Sequence, residues 1–138
     1  MQPTPEVVVL ACTQAVPQPA VLREALQQVG LASRIIQEPC SSKVEAFQLL
    51  RILAQGADLV WVVGCPEQYC LLAEGSTRMG FRVAHAQDYL VELGLEPERL
   101  GFSRVAAGNL DDLAATAAEI QRRASKLPPN PARPRQAA

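Results

Sequence analysis

Along this chain the apolar positions switch repeatedly between the spacing of a buried strand and that of an amphipathic helix, and the order of the switches predicts a fold. Val7-Val8-Val9-Leu10 reads as a buried strand, after which Val21, Leu22, Ala25, Leu26 and Val29 form a helical stripe that stops at Gly30. Ser33 to Gln37 reads as a second strand. Ser42 and Glu45 then have the spacing of a capping box, opening a helix that carries Val44, Phe47, Leu50 and Leu53 and closes at Gly56. Leu59-Val60-Trp61-Val62-Val63 is too continuously apolar for a sheet with one wet face, so it is placed centrally with Trp61 in the core. Leu71 to Met79 reads as helical up to a break near Gly80; a second helix follows, with Val83, Leu90 and Leu93 on its apolar stripe and Gly94 at its end. Leu100 to Val105 supplies a fourth strand, and Asn109 with Asp112 caps a last helix bearing Leu113, Ala117 and Ile120.

Strand and helix alternate throughout, and right-handed crossovers turn that order into an α/β fold. The expected architecture is a doubly wound, mainly parallel four-stranded sheet in the flavodoxin-like order 2-1-3-4, with helices on both faces. Residues 1–127 are expected to form one domain. From Pro128 to Ala138 the chain turns to Pro, Arg, Asn and Ala, which bury too little apolar surface to offset their ordering entropy, so this stretch reads as a disordered Pro-rich tail.

Composition narrows the function classes. With 138 residues and 49% apolar content, the chain builds a hydrophobic core without help from disulfides or metal, so any metal serves chemistry before folding. The formal net charge is -1 and the thirteen Lys and Arg are dispersed or gathered in the tail, a pattern without the basic stripe of a nucleic-acid binder. No stretch approaches the length of a membrane span, and the opening Met-Gln-Pro-Thr-Pro-Glu lacks the basic region of a signal peptide. A cytoplasmic protein with reduced thiols is the expectation.

The chemistry then concentrates on four cysteines. Cys12, Cys40 and Cys65 follow the predicted strands, and Cys70 comes five positions after Cys65. In an open parallel sheet, ligands collect outside the carboxyl ends of the strands at the switch point, here between the first and third strands, so these thiols are expected to converge. Four soft thiolates suit a two-iron cluster. Structural zinc sites rest on two close cysteine pairs, whereas one close pair joined by two solitary cysteines is nearer to iron-sulfur ligation.

Other side chains offer less. His85 is the only histidine and falls on a predicted helix with no serine or carboxylate pattern around it, so a surface role is expected. The loop from Cys12 to Pro19 has no glycine and starts its helix with prolines, unlike a phosphate-binding loop. Read from the residues alone, two alternatives to the cluster stay open: a cluster-free flavodoxin-like interaction module with packed thiols, and a thiol redox protein in which a cysteine pair cycles.

Pro39-Cys40-Ser41-Ser42-Lys43-Val44, then Gly56-Ala57-Asp58 leading through an apolar strand to Gly64-Cys65, Cys70, Gly75 and Arg82, and finally Leu93-Gly94-Leu95-Glu96-Pro97-Glu98-Arg99-Leu100, form an ordered set. The set resembles the delta subunit of methyl-viologen-reducing hydrogenase, the iron-sulfur delta-subunit family of the F420-non-reducing hydrogenases, over about Val7 to Lys126. The resemblance implies a small [2Fe-2S] electron-transfer protein without substrate chemistry of its own. It would relay electrons between a hydrogenase, formate dehydrogenase or similar oxidoreductase and the A-type flavoprotein of a heterodisulfide-reductase-type complex. With cluster binding by Cys12, Cys40, Cys65 and Cys70, Tyr69 beside Cys70 reads as packing over the cluster, lining a partner interface or ordinary packing, and Arg82, which matches a basic family position, as offsetting cluster charge or as a solvated helix-face arginine. Two departures from the family pattern stand out: Ala15 replaces the second cysteine of a C-x-x-C after the first strand, and Gly64-Cys65-Pro66-Glu67-Gln68-Tyr69-Cys70-Leu71 stands where the family often has G-C-H-P-G-D-C-H.

Overall fold

The computed structural model describes residues 5–39, 44–66 and 75–132. Four strands and four main helices alternate along them: β1 (Val7–Cys12), α1 (Pro19–Gln28), β2 (Ser33–Glu38), α2 (Ala46–Ala54), β3 (Leu59–Gly64), α3 (Gly75–Glu92), β4 (Leu100–Arg104) and α4 (Leu110–Lys126). A short 3-10 turn, Pro97–Arg99, leads into β4. The sheet is wholly parallel in the order β2-β1-β3-β4, as the alternation predicts, with Val9 paired to Ile35 on one side and to Trp61 on the other. Every residue of β1 and β3 is buried, while β2 and β4 at the edges are partly exposed.

Two apolar layers sandwich the sheet. Odd-numbered β1 and β3 residues, Val7, Val9, Leu59, Trp61 and Val63, pack with Leu22 and Leu26 of α1 and with Leu113, Ala117 and Ile120 of α4. Even-numbered Val8, Leu10, Val60 and Val62 pack with Leu49 and Leu53 of α2 and with Met79, Val83, Ala86 and Leu90 of α3. The period of two along each strand thus assigns one helix pair to each face. Each wholly buried Leu or Ile contributes about 1.5–3 kcal/mol through the water it sheds.

Local chemistry explains the helix ends. Gly30 has φ 83°, and beyond α1 the Gly30 and Leu31 amides donate to the Gln27 and Leu26 carbonyls at 3.0 Å each, a turn that a Cβ would strain. At α4 the Asn109 side chain accepts from the Asp112 amide at 3.0 Å, while the Asp112 carboxylate accepts from Ala106 N–H, also at 3.0 Å.

Three expectations need correction. The helix does not break at Gly80: α3 runs through it unbroken from Gly75 to Glu92. Gly80 faces β4, where an added Cβ would sit in ordinary contact, 3.4 Å from an Arg104 guanidinium nitrogen and 3.8 Å from the Phe102 ring. Second, α2 begins one turn later than the Ser42 spacing suggests. Its N-cap is Glu45, whose amide donates to the Gln48 side chain at 2.7 Å, and Ser42 lies outside the described residues. The buried stripe of α2 is Leu49 and Leu53, and Phe47, on another face, is 63% exposed. Third, Val83 and Leu90 are buried as expected, but Leu93 lies beyond the end of α3 and is 70% exposed.

The opposite, amino-terminal end of the sheet is closed by a polar knot. Arg99 is wholly buried; its Nε donates to the Glu96 carboxylate at 2.7 Å, Nη1 to Asp58 O at 3.0 Å and Nη2 to Pro128 O at 2.8 Å. The Asp58 carboxylate accepts from the Glu6 amide at 2.8 Å and the Asn130 amide at 2.7 Å. Asn130, itself buried, donates through Nδ2 to Leu53 O at 2.8 Å and Ala57 O at 2.6 Å. Pro128 to Ala132, assigned to the tail by composition, are therefore tied to the domain by polar contacts; residues 133–138 lie outside the described residues.

Candidate functional site

The carboxyl ends of β1 and β3 lie side by side at the switch point of the sheet, where β1 is flanked by β2 and β3. Cys12 is the last residue of β1 and Cys65 the first after β3. Both are buried, and both belong to the apolar cluster on the α1 and α4 side. Cys12 leaves the alternation of β1, joining the layer of Val9 and Ala11 instead of that of Leu10, because the chain turns immediately after it. The turn is fixed by backbone bonds: Thr13 N–H donates to Glu38 O and Val16 N–H to Cys12 O, each at 2.9 Å.

The neighbouring strand end approaches Cys12 directly. Its Sγ lies 3.9 Å from Pro39 O, and Thr13 Oγ1 donates to the same carbonyl at 3.3 Å. Pro39 is the residue before Cys40 in the sequence. Gln37 adds a brace, its Nε2 donating to Val16 O at 3.4 Å. From the other side, the β4–α4 loop closes against the β1–α1 loop, with Gly108 N–H donating to Ala15 O at 3.1 Å and Val105 N–H to Gly64 O at 2.8 Å. Thr13, Gln37 and Gly108 were not singled out from the sequence; Thr and Gln in a short loop carry no pattern that announces a long-range brace.

The structure thus brings two of the four sequence-predicted thiols, Cys12 and Cys65, to adjacent strand ends in one apolar layer. Cys40, Cys70 and Tyr69 lie outside the described residues. Among the described residues no group of three or more His, Cys, Asp and Glu side chains is gathered to hold a metal. Ala15, Val16, Val63 and Val105 belong to the same apolar cluster as the two placed thiols. Such a donor set is soft, and it fits an iron-sulfur centre better than a hard oxygen-ligated cation. Ala15, in the position of the missing second cysteine, is wholly buried in the same layer.

Arg82 has a defined structural task. Nη1 donates to Val44 O at 3.0 Å and Nη2 lies 3.7 Å from the Glu45 carboxylate, so it ties α3 to the start of α2 immediately after the segment that carries Cys40. His85 is exposed on α3, its ring edge-on to Tyr89 at 4.9 Å, in line with a surface role. An apolar groove of about 350 Å³ opens between the β1–α1 loop and α4, lined by Val16, Pro17, Val21, Gly108, Leu110 and Leu113. Among the described residues no helix is long and apolar enough to cross a membrane.

Comparison with known proteins identifies a family. The family described as methyl-viologen-reducing hydrogenase, delta subunit (FlpD), matches residues 7–128. The chain is 34% identical over 96 residues to the D-type iron-sulfur subunit of the vhu F420-non-reducing hydrogenase of Methanopyrus kandleri, covering 70% of this chain and 73% of that one. It is 29% identical over 126 residues to the D-type iron-sulfur subunit of the F420-non-reducing hydrogenase of Archaeoglobus profundus, covering 91% and 92%. A third similarity, 27% over 96 residues, is to the A-type subunit of the ferredoxin:CoB-CoM heterodisulfide reductase of Methanosarcina mazei; it takes in 70% of this chain but 12% of that much longer protein. With a family match from the first strand to the end of the last helix, the chain belongs to the methyl-viologen-reducing hydrogenase delta subunit family.

Proposed function

We propose that this protein is an electron-transfer subunit that holds a [2Fe-2S] cluster through Cys12, Cys40, Cys65 and Cys70. The observation that carries the reading is the placement of Cys12 and Cys65, both buried, at neighbouring strand ends in one apolar layer. Pro39 O beside Cys12 Sγ supports it, because the covalent neighbour of that carbonyl is Cys40. Similarity to proteins named hydrogenase iron-sulfur subunits supports the class of cofactor.

The chain's own residues supply geometry and shielding. Cys12 and Cys65 stand at the carboxyl ends of the two central strands, and the turn bonds of Thr13 and Val16 fix the direction of the chain at Cys12. Ala15, Val16 and Val105 keep water from that side of the sulfurs, which together with hydrogen bonding sets a cluster's potential. A cluster held by Cys12, Cys40, Cys65 and Cys70 would supply one-electron redox chemistry. Arg82 is a positioning residue here, holding the chain after Cys40 through Val44 O.

The electrons pass between an oxidoreductase such as a hydrogenase or formate dehydrogenase and the A-type flavoprotein of a heterodisulfide-reductase-type complex. Similarity both to separate hydrogenase subunits and to a short part of a heterodisulfide reductase flanking chain of the A type supports a domain that works on either side of such a junction. In this reading residues 1–127 are one cluster-bearing domain in the cytoplasm. The test is spectroscopic: full-length protein prepared without air should absorb broadly in the visible and give a paramagnetic signal on reduction. Serine at Cys12, Cys40, Cys65 or Cys70 should each reduce that signal. A colourless protein with a titratable disulfide would replace the proposal with a thiol redox role.

A further inference from the structure

The outer face of α3 is unlike the outer face of an ordinary surface helix. Met79, Val83, Ala86 and Leu90 turn inward. On the opposite side Arg78, Phe81, His85, Asp88, Tyr89 and Glu92 are all exposed. At about 100° per residue they fall within about 60° of His85 around the axis. Phe81 is 73% exposed and Tyr89 44% exposed, in positions where an isolated helix gains from polar side chains.

This face reads symmetrically about His85. Phe81 and Tyr89 stand four positions before and after it, and Arg78 and Glu92 stand seven before and after. Charge sign reverses across the centre while aromatic character is kept. A second copy laid antiparallel on a twofold axis through His85 therefore sets Phe81 against the partner's Tyr89, and Arg78 against the partner's Glu92, twice over. A parallel arrangement sets like charge on like. The ends of α3 point the same way: it has no acidic residue in its first turn and no basic residue in its last, so Glu92 meets the negative end of its own helix dipole. An antiparallel partner brings a cation to that end.

We propose that α3 is a self-association surface, and that two copies of this chain pair antiparallel through Phe81, His85 and Tyr89 with Arg78–Glu92 ion pairs at both ends. The contact uses one helix per copy and is smaller than a standard protein interface, so the dimer is concentration-dependent. It lies on the α2 and α3 side of the sheet, whereas Cys12 and Cys65 belong to the α1 and α4 side.

Sedimentation equilibrium of the full chain over a wide concentration range tests it. The wild type should move from monomer to dimer. Arg78→Glu and Glu92→Arg should each weaken the dimer by about tenfold, since each places two like-charged contacts in the pair. An equimolar mixture of the two variants should return to near wild-type affinity, because every contact in the mixed pair is again opposite in sign. This rescue separates a docking defect from a folding defect. A wild type that stays monomeric throughout, charge reversals without effect, or a mixture no tighter than its components would overturn the proposal.

Discussion

Arg99 and Asp58 are 41 positions apart in sequence, yet the Arg99 guanidinium donates to the Asp58 backbone oxygen at 3.0 Å inside the closed amino-terminal end of the sheet. The same side chain reaches Glu96 and Pro128 O, so one buried cation joins three separate segments. Gly56-Ala57-Asp58 and Glu96 to Arg99 are among the residues that carry the resemblance to the family, but they sit at the end of the sheet opposite Cys12 and Cys65. Their work is structural. Replacing Arg99 by Met leaves the Glu96 carboxylate and two carbonyls without their donor, and should cost about 2–4 kcal/mol in urea unfolding. An unchanged midpoint would remove Arg99 from the knot.

Asn130 extends the same network to the C-terminal segment. Asn130→Ala takes the Nδ2 donor from Leu53 O and Ala57 O, and should lower stability by about 1–3 kcal/mol. Truncation after Leu127 should do at least as much, because it also removes Pro128 O from Arg99 and the Asn130 amide from the Asp58 carboxylate. Thermal melts of the two variants beside the full chain measure this, and a tail that only floats in solvent would give no change.

Gly101 opens the space that Trp61 fills. A Cβ there would meet the indole ring at 2.2–2.7 Å, while Trp61 Nε1 is held by Ser103 Oγ at 3.0 Å and an Arg123 guanidinium lies 4.7 Å above the ring. The ring has little freedom to withdraw. Gly101→Ala should destabilise by about 1–3 kcal/mol and shift the fluorescence of the single Trp, a readout that a remote effect leaves untouched.

Gly80 should respond in the opposite direction. Inside a continuous helix, alanine gains up to about 1 kcal/mol in backbone propensity, and the Cβ makes ordinary contacts, with the far end of the flexible Arg104 side chain at 3.4 Å and the Phe102 ring at 3.8 Å. Gly80→Ala is expected to be neutral or stabilising by equilibrium unfolding; clear destabilisation would mean that the glycine is needed for a bend.

Much of the architecture was legible because it is carried by local chemistry. The unbroken apolar run of β3 announces a strand covered on both faces, and Gly30, Gly94 and Asn109 mark helix ends through their own backbone or side-chain bonds. What stayed hidden depends on contacts far along the chain. Gly80 looks like a helix breaker until β4 is laid beside it, Phe47 looks like a core residue until Leu49 and Leu53 take the buried stripe of α2, and Asn130 looks like tail until Asp58 is placed next to it. At the candidate site, the strand-end positions of Cys12 and Cys65 were legible from the apolar runs before them, whereas the braces from Thr13, Gln37 and Gly108 are long-range and carried no sequence signal.

The most direct measurement is the iron and acid-labile sulfide content of anaerobically prepared and reconstituted full-length protein, taken beside its four single Cys→Ser variants. The account predicts about two irons and two sulfides per chain, with reduced content in every variant. Iron near zero in the wild type, or full content retained after serine replaces any one of Cys12, Cys40, Cys65 and Cys70, would contradict it.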